Sequence, residues 1–353
     1  MSSTPHQDLG RRRLLVLTRG LALFLVIVVT LWATAALYFD LPLVSLRVPA
    51  AVLYLILILG LLLKFNARGR GIVLSLAAFG VVLAGWLSLK PSNNRNWQPD
   101  VAETAWAEIN GDRVTIHNLR NCDYRAEFDY TPHWETRTLD LSNLRGIDIF
   151  ITYWGSPWIA HPIVSFDFGD QGYVAMSIET RKEVGETYSA IRGFFRYYEL
   201  IYTISDERDV VRLRTNFRHG EDVYLYHTRA TPEHSRIIFL DYIARANRMR
   251  EHPEWYNALT NNCTTNIVPH VASARDTKPR FDYRILLNGK ADEMMFERGD
   301  LATDNLPLAE LKEKAHINPA AKVADNSADF SRRIRAGRPG FSTQSAQGFR
   351  ADW

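Results

Sequence analysis

The sequence predicts an α+β protein in which three N-terminal transmembrane helices precede a domain built on an antiparallel sheet. Three observations carry this. Almost all the long apolar runs of the 353 residues lie before Lys90, although the mean hydropathy of the whole chain is only -0.18. Beyond Lys90, short apolar stretches alternate with period two, as strands do when one face is buried and the other is wet. Helical periodicity returns in a few windows, most of them late in the chain.

The first apolar run, 20–39, is charge-free and matches the roughly 20 residues needed to cross a hydrocarbon core as a helix. A shorter run at 48–63 and a third at 71–89 follow, the last with Trp86 near its end, where an interfacial aromatic belongs. Arg11, Arg12, Arg13 and Arg19 precede the first run, and Lys64, Arg68 and Arg70 lie between the second and third, whereas the first connection holds only Asp40 and Arg47. Positive charge marks the cytoplasmic side. This places the N-terminus in the cytoplasm and everything after Lys90 across the inner membrane, in a bacterial periplasm. A cleaved signal peptide competes for the first run, since basic residues precede it. Two further apolar runs and the lack of a clear small-x-small cleavage site favour a multi-pass protein.

The expected organisation is a basic cytoplasmic arm at 1–13, a membrane region at 14–89, a Pro- and Asn-rich linker at 90–100, a soluble domain at 101–316 and an extended tail at 317–353. The tail is assigned from its thinning apolar content. A net charge of +3, with basic and acidic residues interspersed, gives no face for nucleic acid.

Within the soluble part, Asn110-Gly111 between two alternating stretches reads as a hairpin over 107–116. Further strands are expected at 145–153, 161–168, 173–181, 200–205, 210–216 and 223–228, and helices at 187–198, 234–250 and 263–273. Pro269 should shorten or kink the last helix.

The chemistry centres on Asn261-Asn262-Cys263-Thr264-Thr265-Asn266, where one of only two cysteines opens a helix behind two amides. A helix N-terminus favours a thiolate, the nucleophilic form. A packing cysteine would sit on an apolar face, and these flanks are polar. Of ten histidines, His6 lies in the arm, His316 beside the tail, and His234 and His252 at the ends of a surface helix. His161 is the expected base, opening a strand before Pro162 where an imidazole can face a cleft, although a hydrogen bond at a strand end would also explain it. If Gly169-Asp170-Gln171-Gly172 turns the strand back on itself, paired positions sum to 340 or 341. Glu179 or Thr180 then stands beside His161. Glu179 is the expected orienting acid, equally able to pair with Arg181 or Lys182, and Asp167 is the second choice. Trp154, Trp158, Trp255, Tyr256 and Asn262 could line a substrate groove, although packing explains each aromatic as well. Cys122 could instead pair with Cys263 in an oxidising compartment. The spacing of His and Cys suggests no metal, and no cofactor motif is present.

The strand His161-Pro162-Ile163-Val164-Ser165-Phe166, the segment Tyr197-Tyr198-Glu199-Leu200 and the stretch from Trp255 to Thr265 resemble the Lnb N-terminal periplasmic domain family over some two hundred residues. That family is similar to circularly permuted papain-like domains of the NlpC kind, in which the histidine strand precedes the cysteine helix. The resemblance implies acyl transfer through a thioester, with Cys263 as nucleophile and His161 as base. It suggests lipoprotein N-acylation from a phospholipid donor, with a membrane lipid as one partner. A cell-wall peptide amidase of the NlpC kind and a non-catalytic membrane-anchored binding domain are the alternatives.

Overall fold

The computed structural model describes residues 5–65, 69–275 and 282–341, with side chains from Arg13 onward. Arg68, the side chains of Arg11 and Arg12, and the last part of the expected tail, 342–353, lie outside the described residues. The chain divides into two compact units, one of residues 1–91 with 189–197, the other of 92–188 with 198–353.

The first unit holds α1 (Pro5–Asp40), α2 (Arg47–Lys64) and α3 (Arg70–Ser88). All three are long and apolar enough to cross a membrane. Val26, Ala33, Tyr54 and Ile58 form their shared core. Phe24, Leu53 and Val81 are 63%, 65% and 74% exposed, an arrangement unfavourable in water and suited to lipid.

Segment 189–197 belongs to this unit, where a helix over 187–198 was expected. It contains one 3₁₀ turn, Arg192–Phe194, because its aromatics find partners on the membrane helices and not one turn along their own segment. Phe195 packs against Phe39 and Trp32, with ring centres 5.2 and 6.4 Å apart. Arg196 Nη1 donates to the carbonyls of Trp86, Leu87 and Leu89 at 2.9, 3.1 and 2.8 Å, satisfying the acceptors that the end of α3 leaves open.

The second unit is built on one sheet. Its strands are β1 (Trp106–Asn110), β2 (Arg113–Arg120), β5 (Trp134–Asp140), β6 (Gly146–Trp154), β7 (Ala160–Asp167), β8 (Tyr173–Arg181), β9 (Glu199–Ser205) and β10 (Glu221–His227), while β3 (Asp123–Ala126) and β4 (Asp129–Thr131) form a separate hairpin. The order is β1-β2-β9-β8-β7-β6-β10 with β5 beside β2, and the pairing is antiparallel except where β2 meets β9. The Asn110-Gly111 hairpin forms as expected.

The expected strand at 210–216 is helical, comprising α4 (Glu207–Arg212) and a π-turn at Leu213–Phe217. Asp206 caps it by accepting the Arg208 N–H at 3.0 Å, and the β-branched Val210 and Val211 are its buried apolar residues. Local capping outweighs strand propensity here. The helices α5 (Pro232–Glu251) and α6 (Cys263–Ala274) follow, with Pro269 inside α6. Beyond them lie α7 (Ala291–Glu297), α8 (Leu308–Ala315), α9 (Asn318–Ala324) and α10 (Phe330–Arg333).

Two expected boundaries change. From Ser92 onward the linker is part of the soluble unit, with Trp97 buried against Val101 and Ile201 and the Arg181 guanidinium 4.3 Å from its ring centre. Residues 317–341 are folded, not extended. Ile317, Ala321, Ala324, Phe330 and Ile334 pack with Phe150, Ile163 and Val223 in the core. Arg335 completes this by donating to Glu207 at 2.6 and 2.8 Å and to Asp148 at 2.7 Å. A few well-spaced apolar residues and one buried, fully paired guanidinium hold a segment whose average composition looks disordered.

Candidate active site

Cys263 is the first residue of α6. Asn262 caps the helix, its side chain accepting the Thr265 N–H at 2.9 Å while Thr265 Oγ1 accepts the Asn262 N–H at 2.8 Å. This reciprocal capping box explains part of the polar setting of the cysteine, since Asn262 and Thr265 are consumed in starting the helix. The thiol is buried, 9% exposed. Burial raises its pKa and outweighs the lowering from Thr264, the helix amides and Arg214. The resting group is therefore a neutral thiol, a correction to the expectation that the helix start would favour a thiolate.

β7 and β8 pair as the turn arithmetic required, Ile163 opposite Ser177 and Asp167 opposite Tyr173. Two residues further along, His161 and Glu179 share a face. Their contact is indirect. His161 Nε2 lies 2.7 Å from Ser177 Oγ, which donates to Glu179 Oε1 at 2.8 Å, while Nε2 and Oε1 are 3.6 Å apart. Arg214 holds Glu179 at 3.1 Å and Glu221 at 3.2 Å. Burial, followed by Arg214, lowers the His161 pKa to about 3. Although burial alone would raise it, Glu179 stays well below the usual carboxylate range because Arg214, His161, Arg120 and Arg218 together favour its charge. A neutral imidazole with Nε2 engaged keeps Nδ1 for proton transfer.

Asn288 ties the two halves together. Its Oδ1 accepts the N–H of Ala160, the residue before His161, at 2.8 Å. Its Nδ2 donates to Thr264 Oγ1 at 2.8 Å and lies 3.8 Å from Cys263 Sγ. One amide thus fixes the start of β7 against the start of α6. The next residue must be glycine for steric reasons, because a Cβ at Gly289 would run into the backbone of Pro157 and Trp158.

Of the expected groove residues, Asn262 is the cap and Tyr256 is buried near the thiol. Burial first, then the charge a Cys263 thiolate would carry, raises the pKa of Tyr256, and burial raises that of Tyr188 against a hydrogen bond with Tyr256 that lowers it. Trp158 is 50% exposed beside the 288–290 turn, with Lys290 Nζ 5.6 Å from its ring centre. Trp154 ends β6 opposite Glu221 and Trp255 bridges Glu199 under the Arg95 guanidinium, so both have structural partners. Asp167 accepts the Gly169 N–H at 2.7 Å within its own turn and is not the acid beside His161. Cys122 is a free, buried thiol packed with Tyr124 and Leu213, unpaired with Cys263.

Sequence reasoning missed Ser177, Arg214, Tyr188 and Asn288. Ser177 was within reach, being two residues from Glu179 on the same strand face. Asn288 had no signal beyond an Asn-Gly pair in a loop. Among the described residues no cluster of His, Cys, Asp and Glu could hold a metal. A cavity of about 490 Å³ lies among α9 and α10 and is lined by none of these residues.

Three membrane-length helices followed by a sheet that buries a thiol and an imidazole define a membrane-anchored α+β domain protein. Residues 130–289 match the family model of the Lnb N-terminal periplasmic domain. The match contains the site residues from Trp154 and His161 to Cys263 and Asn288. Neither curated proteins nor solved structures give a match.

Proposed function

We propose that the protein is a periplasm-facing cysteine acyltransferase or hydrolase working through a thioester, with a membrane lipid as acyl donor. The observation that carries it is Asn288, whose single side chain spans the backbone before His161 and the residue after Cys263. In this reading Cys263 attacks an ester carbonyl while His161 Nδ1 accepts the thiol proton, and the tetrahedral oxyanion is held by the Cys263 N–H and Asn288 Nδ2. Collapse expels the alkoxide, which takes the proton from His161 and leaves the acyl group on sulfur. An amine or water then attacks the thioester and returns its proton through His161 to Cys263. Ser177 and Glu179 keep the imidazole in one tautomer. The burial of the thiol suits an intermediate that must be shielded from water.

The orientation with the N-terminus in the cytoplasm belongs to this proposal, as does a lipoprotein amine as acceptor. Detergent-solubilised full-length protein, given a phospholipid with a labelled acyl chain and an amine-bearing peptide, should move label to peptide or to free fatty acid. Cys263→Ala should do neither. Peptidoglycan given to the same preparation should release no muropeptides. Released muropeptides with intact lipid would replace this reading with the amidase, and inertness toward both would favour a binding domain.

A further inference from the structure

Arg47, the first residue of α2, is the one arginine where α1 passes into α2, yet the fold gathers more positive charge at this end of the helices. Arg192 and Arg196 arrive on the strap 189–197, which belongs to the same compact unit. Tyr197 organises two of the cations. The guanidinium of Arg192 lies 4.6 Å from its ring centre and that of Arg47 lies 5.8 Å away, so the two are no more than about 10 Å apart. Arg196 stacks on Trp86 at 4.1 Å. Lys90 is exposed in the same unit, just past the end of α3. Across 40–47, 86–91 and 189–197 the one acid is Asp40; its Oδ2 accepts from Trp86 Nε1 and the Arg196 N–H at 2.6 and 3.0 Å, and its single charge offsets only part of that of Arg47 and Arg196.

Phe195 packs between Phe39, one residue from the end of α1, and the deeper Trp32. Trp32 lies eight residues before the end of α1, about 12 Å along a helix. With α1 across a bilayer, that stretch falls near the level of interfacial aromatics. Ile191 is 63% exposed there, and lipid is the environment in which such exposure is favourable.

We infer that the strap and the adjoining helix ends form a binding site for the phosphate of an anionic glycerophospholipid, held between Arg47 and Arg192 above Tyr197. Two guanidinium groups on one ring repel each other until an anion joins them. Arg47 spends Nε on the Leu41 carbonyl and Arg192 spends Nη1 on the Tyr197 hydroxyl, at 2.8 and 3.2 Å. Each guanidinium retains further N–H groups for phosphate oxygens, the geometry arginine favours. The site stands whether or not Cys263 is a nucleophile, so failure of the acyl-transfer reading leaves it intact.

Native mass spectrometry of the full-length protein in detergent, with equal concentrations of phosphatidylglycerol and phosphatidylethanolamine, tests it. The expected preference for phosphatidylglycerol is about tenfold, of the order that two interfacial arginines supply. Arg47→Gln with Arg192→Gln should abolish the preference, and Lys64→Gln with Arg70→Gln at the opposite helix ends should retain it. Raising salt from about 50 to about 500 mM should weaken phosphatidylglycerol selectively in the wild-type protein, an arm that still decides if the double variant misfolds. Inorganic phosphate should not compete at the lipid's concentration, and full competition would reassign the site to a free anion. Equal binding of the two lipids, or a preference unchanged in the double variant, would overturn the inference.

Discussion

His161 and His270 are both buried, and both are connected to an acid, but their bonding differs in the way that separates a reagent from a brace. His270, on α6 with Cys263, spends both nitrogens, with Nδ1 2.7 Å from Asp241 and Nε2 3.0 Å from the Tyr202 hydroxyl. Its ring also packs on Tyr242 at 4.1 Å. His161 engages Nε2 alone and reaches its acid through Ser177. A histidine saturated on both sides can orient a helix but cannot accept a proton without breaking a bond. One held on a single side is oriented and still available. Direct contact with a carboxylate is thus a poorer guide to the base than the nitrogen left over.

This contrast can be broken by substitution. Cys263→Ala should abolish acyl transfer, and His161→Ala should lower it by about 10²–10⁴-fold, the range for general bases. His270→Phe should leave the rate of the folded protein within a few-fold while lowering the melting temperature, because Asp241 and Tyr202 lose their shared partner, at about 1–3 kcal/mol. If His270→Phe removed activity from a folded protein and His161→Ala did not, the roles would be reversed.

Asn288→Ala should reduce kcat by about 10²–10³-fold with a smaller change in KM, as expected for an oxyanion donor. Equal loss in Asn288→Ala and Asn288→Asp, with normal melting of both, would fit that role. A change confined to melting would make Asn288 a brace like His270. Ser177→Ala should have a smaller effect of about tenfold, since Glu179 and Arg214 remain to steer the ring electrostatically.

The pH dependence of stability separates His161 from Cys263. The folded His161 pKa of about 3 lies below the unfolded value of 6.5, so between these limits the unfolded chain binds the extra proton. Stability should therefore rise with pH across that window and be fully in place above 6.5. Cys263 acts in the opposite sense, with its raised pKa costing stability as pH climbs past the ordinary thiol value of 9. Denaturant melts of His161→Phe should show a shallower acid limb than wild type, and melts of Cys263→Ala a shallower alkaline one.

Much of the architecture was legible because it rests on short-range rules. Uninterrupted apolar length gave the three membrane helices, Asn110-Gly111 gave the first hairpin, and the four-residue turn before Tyr173 set the β7–β8 register that places Glu179 beside His161. What stayed hidden depends on distant partners. Val210 and Val211 read as strand residues until Asp206 is seen capping a helix. Arg335 reads as tail until Glu207 and Asp148 are seen around it. The strap 189–197 reads as helix until Phe195 finds Trp32 and Phe39. Asn288 and Arg214 belong to the same class, since their roles exist only once β7, β8 and α6 are brought together.

The central claim is that Cys263 carries the acyl group. Intact-protein and peptide mass spectrometry of the full-length protein, quenched at acid pH during turnover of a labelled acyl donor, tests it most directly. The account predicts one hydroxylamine-labile acyl adduct on Cys263, absent in Cys263→Ala and strongly reduced in His161→Ala. An unmodified Cys263 during active turnover, an adduct on Cys122, or equal labelling in His161→Ala would contradict it.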